Sequence, residues 1–296
     1  MNFKTAKELL EICTSESLSI SEVMIQREIT EGEKSRDEVM QKMQRAFEIM
    51  KESAKRAIDN PAKSMGGLLG GQAQKLSSHA GSDKTACGKL ITKGIAYAMG
   101  VLEVNAQMGL IVAAPTAGSA GVIPGTMLTL QEEYGFTDEQ IVTALFNTGA
   151  IGYLAMRNAT VSGAVGGCQA EIGVAAAMAA SAAVELLGGT PAQSLDAAST
   201  VLMNMLGLVC DPVDGLVEYP CQNRNASGVA NALVAAEMTM AGISQLIPLD
   251  EMLDIMYKVG RGIPSELRET AQGGCASSKI ACSACNSVCE QNNTAI

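Results

Sequence analysis

Apolar residues recur at three- and four-residue intervals through the first sixty positions, the spacing of one face of an α-helix. The clearest run follows Ser35-Arg36-Asp37-Glu38, a capping box in which the serine caps the helix start and the glutamate reaches back. Its apolar positions are Val39, Met43, Phe47, Met50, Ala54 and Ile58. The pattern predicts a long amphipathic helix that ends at Asn60-Pro61.

Three further patterns predict helices along the rest of the chain. Capping boxes stand at Thr137–Gln140 and at Thr190–Gln193, the second with proline at the first helical position. Residues Pro248 to Val259 form another helical run, with Gly260 as its expected C-terminal cap. Period-two runs bounded by turns are scarce, so the sequence predicts an all-α fold with little sheet.

Composition shifts divide the chain into three parts. Residues 1–60 are charge-rich and form an N-terminal helical segment, expected to pack on the domain that comes after it in the chain. Residues 61–274 form that domain, which is Ala/Gly-rich and helical and opens with a Gly/Ser-rich connection over 61–89. Residues 275–296 form a cysteine-rich polar tail that is expected to be irregular.

The balance of charge excludes some partners. A net charge of −10 argues against nucleic acid and against an anionic membrane surface, both of which attract basic proteins. The uncharged stretch between Glu103 and Glu132 contains two prolines and four glycines, which favours a buried segment over a membrane span. The N-terminus lacks the apolar core of a signal peptide, so we expect a cytoplasmic protein.

Nine cysteines in a cytoplasmic chain are more typical of packing or metal binding than of disulfides. Cys210 and Cys221 lie in VCDPVDGLVEYPCQNRNA, whose prolines and Asp-Gly turn predict a non-helical loop. Cys168 follows a glycine pair in GGCQAE. The chain has a single histidine, His79, in a predicted loop, which leaves thiolates as the expected metal ligands. Thiolates without histidine favour an iron–sulfur cluster or a cysteine-only zinc site. The cysteine spacings match no ferredoxin pattern.

Other familiar chemistries lack their motifs. No G-x-S-x-G nucleophile elbow accompanies the single histidine. The sequence also lacks G-x-x-x-x-G-K-[ST] and a strand-associated G-x-G-x-x-G, the two common phosphate-binding patterns.

Four stretches together resemble the α chain of the iron–sulfur-dependent L-serine dehydratases, and the resemblance covers nearly the whole chain. They are Asn105-Ala106 with AAPTAGSAGVIPG, NATVSGAVGGCQAEIG, GLVCDPVDGLVEYPCQNRNA and LRETAQGG. The resemblance implies a mostly helical catalytic unit that holds a [4Fe–4S] cluster through Cys168, Cys210 and Cys221. It also implies conversion of L-serine to pyruvate and ammonia, a step of amino-acid degradation that feeds gluconeogenesis.

Three thiolate ligands would leave one iron open, and that iron could bind the serine hydroxyl as a Lewis acid. A base would remove the α-proton while hydroxide leaves to the iron, so pyridoxal phosphate is not needed. In the family a tail cysteine can occupy the open iron, and Cys282 is the candidate here. The tail cysteines Cys275, Cys282, Cys285 and Cys289 could instead form a separate metal site or have no ligand role.

The resemblance also suggests where the substrate binds. Thr116, Gly118 and Ser119 could offer N–H and hydroxyl groups to its carboxylate, or form only a tight helix junction. Arg224 and Asn225 could clamp the same carboxylate, or serve structure alone. The family occurs as one fused chain or as separate α and β chains, and the fused and β sequences carry a histidine segment that His79 does not match. We therefore expect the general base to come from a β chain.

Rival interpretations remain open. A related cysteine desulfidase, or another lyase that eliminates a β-substituent from an amino acid, would use the same site. A cluster-bearing redox or sensor subunit is a rival of another class, as is a structural protein with a cysteine-only zinc site.

Overall fold

A computed structural model describes residues 1–284 of the chain, with side chains through Ala281. Helices account for most of the described part, and its one β-bridge joins Cys210 to Arg268 outside any strand. The α-helices in chain order are α1 Ala6–Glu16, α2 Ile20–Gly32, α3 Arg36–Asp59, α4 Gln72–Ala80, α5 Gly88–Ala106, α6 Val122–Tyr134, α7 Asp138–Asn158, α8 Gly163–Gly166, α9 Val174–Leu186, α10 Pro191–Asn204, α11 Cys221–Met240, α12 Leu249–Gly262 and α13 Lys279–Ala284. The predicted all-α fold is confirmed.

Local capping signals set several helix starts as the sequence predicted. Ser35, Thr137 and Thr190 each cap a helix, and in each case the third helical residue reaches back to the cap backbone. Helix α3 also ends at Asp59, with Asn60 as its C-cap.

The core is built around α9, whose sequence VAAAMAASAAVEL is buried over all of Val174 to Val184. Its alanines let α6, α7, α10 and α11 pack closely around it. The N-terminal residues Phe3, Leu9 and Phe47 belong to the same continuous apolar core. The boundaries proposed for the N-terminal segment, the domain and the tail stay predictions.

Three local predictions were wrong. Gly260 does not cap α12 but lies inside it, because it packs against Gly166, whose Cα would be 2.6 Å from an added Cβ. The connection over 61–89 contains α4, so His79 is an exposed residue in the last turn of a helix, not in a loop. The tail begins with an ordered turn at Gly274–Ser277 and continues into α13.

Gly100 permits the contact between α5 and α3, since a Cβ there would overlap the carbonyl oxygen of Ala54. We expect Gly100→Ala to lower the free energy of unfolding by about 2 kcal/mol, because overpacking outweighs the helix propensity that alanine gains. Gly262→Ala is the control, since an added Cβ there meets no atom within 4 Å. Urea unfolding of both variants measures the difference, and equal stabilities would contradict the packing account.

None of the described helices is both long enough and apolar enough to span a membrane.

Candidate metal centre

Three buried cysteines come from separate segments. Cys168 follows α8 and leads into a π-helical turn over Gln169–Gly173. Cys210 lies in the loop between α10 and α11, where its backbone pairs with the segment around Arg268. Cys221 was predicted in a loop, but it is the first residue of α11, with Pro220 as its N-cap. Proline in that position ends the loop and starts the helix, which directs Cys221 into the protein interior.

Backbone contacts hold the Cys168 and Cys210 segments together. The Gln169 N–H donates to the Leu208 carbonyl at 3.0 Å. The Cys210 N–H donates to the Leu267 carbonyl at 2.8 Å, and the Glu269 N–H donates to the Cys210 carbonyl at 2.6 Å. Residues far apart in sequence therefore place Cys210 beside Cys168.

The thiols of Cys168 and Cys210 and the carboxylate of Glu171 converge. One ligand atom from each lies within 4.8 Å of the others. Cys210 Sγ is 3.9 Å from Glu171 Oε2. Cys221 is not one of these three residues; its carbonyl and that of Gly118 both accept from Asn225 Nδ2, which sets the start of α11 beside the Thr116 loop. Burial, with a contribution from the charge of Cys168, raises the pKa of Cys221 to about 12.

Electrostatics favour a thiolate at Cys168. A hydrogen bond from Cys210, and the charge of Arg224, lower the pKa of the Cys168 thiol despite its burial. The same pairing and burial raise the pKa of the Cys210 thiol. Arg224 Nη1 lies 3.6 Å from Cys168 Sγ and 3.0 Å from the Val209 carbonyl oxygen. Asp211 holds this guanidinium through a 2.7 Å ion pair.

The donor set fits a thiophilic metal group. Among the described residues, the cluster of possible ligands combines soft thiolates with one carboxylate and contains no histidine. Gly163 keeps the site open, because a Cβ there would lie 2.6 Å from Glu171 Oε2 and 2.9 Å from Cys210 Sγ. Cys168, Cys210 and Cys221 could together hold an iron–sulfur cluster or another metal that prefers sulfur.

The loop that contains Thr116, Gly118 and Ser119 lies against this site. Thr116 Oγ1 donates to Glu171 Oε1 at 2.7 Å and lies 3.0 Å from Ser119 Oγ. An added Cβ on Gly118 would be 3.3 Å from Glu171 Oε1. The structure therefore brings the three predicted substrate residues beside the cysteines, and their role in binding stays a prediction.

Asn225 and Arg224 were predicted to clamp a carboxylate, and both have partners within the chain. Asn225 is fully buried; its Nδ2 donates to the carbonyls of Gly118 and Cys221, and its Oδ1 accepts from the Gly121 N–H. It thus ties the Thr116 loop to α11. The clamp remains a prediction for both residues, alongside these structural contacts.

The tail approaches the same site. The Cys275 N–H donates to Asp211 Oδ2 at 2.6 Å, while the Cys275 side chain is exposed. Cys282 lies in α13, but its side chain falls outside the described part, as do Cys285 and Cys289 entirely. The proposed ligand role of Cys282 therefore stays a prediction.

Sequence reasoning missed two buried glutamates that fasten the Gly/Ser-rich connection to the site. Glu218 accepts from Ser64 Oγ at 2.6 Å and from the Gly66 and Leu68 N–H groups. Glu103 accepts from the N–H groups of Gly71 and Ala73 and from Gln222 Nε2. An acidic residue within the apolar run Leu102-Glu103-Val104 was the available signal, because a buried charge needs partners.

Known proteins resemble this chain over most of its length. The family model described as "Serine dehydratase alpha chain" matches residues 15–276. The probable L-serine dehydratase alpha chain of Bacillus subtilis is 48% identical over 93% of this chain and 91% of its own length. The L-serine dehydratase alpha chain of Peptoniphilus asaccharolyticus is 41% identical, with 93% and 94% covered. L-Serine dehydratase of Streptomyces coelicolor is 37% identical over 95% of this chain but only 62% of its own length.

Proposed function

The chain belongs to the serine dehydratase alpha chain family, and from that premise we propose that it is the alpha subunit of an L-serine dehydratase. The enzyme is a lyase that converts L-serine to pyruvate and ammonia. The observation that carries the proposal is the convergence of buried thiols with Glu171 beside the Thr116 loop. These contacts join three of the four segments on which the resemblance rests, and the backbone pairing of Cys210 with Leu267 and Glu269 adds the fourth.

The cofactor we propose is a [4Fe–4S] cluster held by Cys168, Cys210 and Cys221. When bound, it supplies a Lewis-acidic iron that polarises the serine hydroxyl toward elimination. The cation at Arg224, 3.6 Å from Cys168 Sγ, supports an anionic sulfur ligand at this position.

The residues of the chain orient the substrate and shape its surroundings. Thr116, Gly118 and Ser119 receive the substrate carboxylate, and Asn225 holds their loop in place through three hydrogen bonds. Such fixed positioning lowers the entropy that the reaction must lose at its barrier. Arg224 acts through the thiol ligand and not on the substrate, because its contacts are with Asp211 and Cys168.

The general base comes from a partner, which we propose is the beta chain. Histidine is the side chain most often used for this step, yet the one histidine here, His79, is exposed on α4 and has no described contact with the cysteines. This chain covers only 62% of the Streptomyces coelicolor L-serine dehydratase, so that protein contains sequence beyond the part that corresponds to this chain. The cytoplasmic location expected from the sequence stays a prediction.

We expect the anaerobically purified complex of alpha and beta chains to form pyruvate from L-serine. Its kcat/KM for L-serine should exceed that for L-threonine by at least about 10-fold, the discrimination that one methyl group allows in a closed pocket. Parallel assays with L-threonine and L-cysteine make the comparison. A preference for L-cysteine would indicate a desulfidase, and absence of turnover with all three would favour a redox or structural role.

A further inference from the structure

Glu171 is a half-buried carboxylate with no described cation paired to it. Its described polar contacts are the hydroxyl of Thr116 and the thiol of Cys210. Within residues 1–281, the lysines and arginines form no ion pair with it. The nearby Arg224 is already paired with Asp211. Removing part of the solvent around an unpaired carboxylate is unfavourable, so the arrangement suits a cation that arrives with a ligand.

Glu171 lies directly beside the loop that is proposed to receive the substrate carboxylate. Its Oε1 lies 2.7 Å from Thr116 Oγ1, and Oε1 also faces the backbone of Gly118. An acceptor and the donors of the Thr116 loop are thus adjacent. The ammonium and carboxylate groups of serine are adjacent in the same way, since both are bonded to the α-carbon. Glycines at 118 and 163 leave the carboxylate uncovered on those two sides.

Charge sets the orientation of the ligand. A substrate carboxylate would be repelled by Glu171 and by the thiolate at Cys168, whereas an ammonium group would be attracted by both. Glu269 is the other carboxylate whose charge reaches Cys210, but it is exposed, so solvent screens it.

We propose that Glu171 binds the α-ammonium group of the substrate and makes the site select amino acids over hydroxy acids. This inference rests on the proposed function, because it assumes that serine binds beside the three cysteines. It assigns Glu171 to recognition, while the Thr116 loop receives the carboxylate.

The test uses the anaerobic holo-complex with wild-type, Glu171→Gln and Glu269→Gln alpha chains. Two ligands are titrated. L-Serine turnover gives KM and kcat, and the second ligand is 3-hydroxypropanoate, which is serine without its ammonium group. Binding of 3-hydroxypropanoate is followed by the change in visible absorption and by inhibition of serine turnover. Iron and sulfide content is measured for each protein.

We expect Glu171→Gln to raise the KM for L-serine by about 10- to 100-fold, the effect of losing one charge-assisted hydrogen bond. Its affinity for 3-hydroxypropanoate should not fall, since that ligand has no ammonium group to pair with Glu171 and its carboxylate is repelled by it. Glu269→Gln should change both quantities less than about threefold, because its charge is screened. A structural role for Glu171 would instead weaken both ligands equally.

Several results would overturn the inference. They are an unchanged KM for serine in Glu171→Gln, an equal loss for both ligands, or a fall in kcat alone, which would mark Glu171 as the base. If Glu171→Gln loses iron, Glu171→Asp is tested in its place. A loss of affinity for serine alone, smaller than that expected for Glu171→Gln, supports the inference, and equal losses of affinity for both ligands contradict it. Failure of the proposed function can be told apart from failure of this inference, because in that case the wild-type complex itself would lack iron or serine turnover.

Discussion

Replacing Cys210 by alanine is expected to abolish serine turnover. The Cys210 thiol is buried, lies with the Cys168 thiol and the Glu171 carboxylate inside a 4.8 Å cluster, and is fixed by backbone pairing to the segment around Arg268. Loss of a residue that only orients a ligand lowers metal affinity or activity by about 10- to 100-fold, so loss of a ligand should exceed about 100-fold.

Cys13→Ala provides the matched control for this variant. Cys13 is also buried, and burial together with Glu185 raises its pKa to about 11, but it lies in α1 and has no described contact with the site. Pyruvate formation and visible absorption should therefore match the wild type in Cys13→Ala. If Cys210→Ala kept both its absorption and its activity, the proposed ligand set would be wrong.

The purified alpha chain alone should retain less than about 1% of the turnover of the alpha–beta complex, since a positioned general base contributes about 10²- to 10⁴-fold. The reason is the absence of a suitable histidine: His79 is exposed in the last turn of α4. Adding beta chain to the cluster-containing alpha chain should restore activity in proportion to complex formed.

The variant His79→Ala tests the simplest alternative, in which His79 of this chain is the general base. The variant should support the same turnover as the wild type once beta chain is present. Full activity of the alpha chain alone, with loss of that activity in His79→Ala, would show that the base lies in this chain after all.

Local signals predicted the helices well because capping is decided within a few residues. Ser35, Thr137 and Thr190 each carry their partner three positions later, so the helix start is encoded where it occurs. Gly260 shows the limit of such signals: it was expected as a cap, but it lies inside α12 and packs closely against a distant glycine, Gly166. Contacts between separate elements are not encoded locally.

The candidate site shows the same difference between local sequence signals and contacts of distant residues. Its cysteines could be singled out from glycine- and proline-rich surroundings and from a family resemblance. Spacings of 42 and 11 positions could not show that the segments meet, because a bridge from Cys210 to Arg268 and a bond from Gln169 to Leu208 bring them together. The sequence likewise allowed Arg224 either as a carboxylate clamp or in a structural role, since nothing near it in sequence revealed its distant contact with Cys168.

The central claim is that three buried thiols of this chain hold an iron–sulfur cluster. The most direct test is the iron and acid-labile sulfide content of the anaerobically purified wild-type alpha chain. The account predicts about four of each per chain, as a [4Fe–4S] cluster requires. Zinc in place of iron, or neither iron nor sulfide under strictly anaerobic preparation, would contradict it and leave Cys168, Cys210 and Cys221 with a structural role.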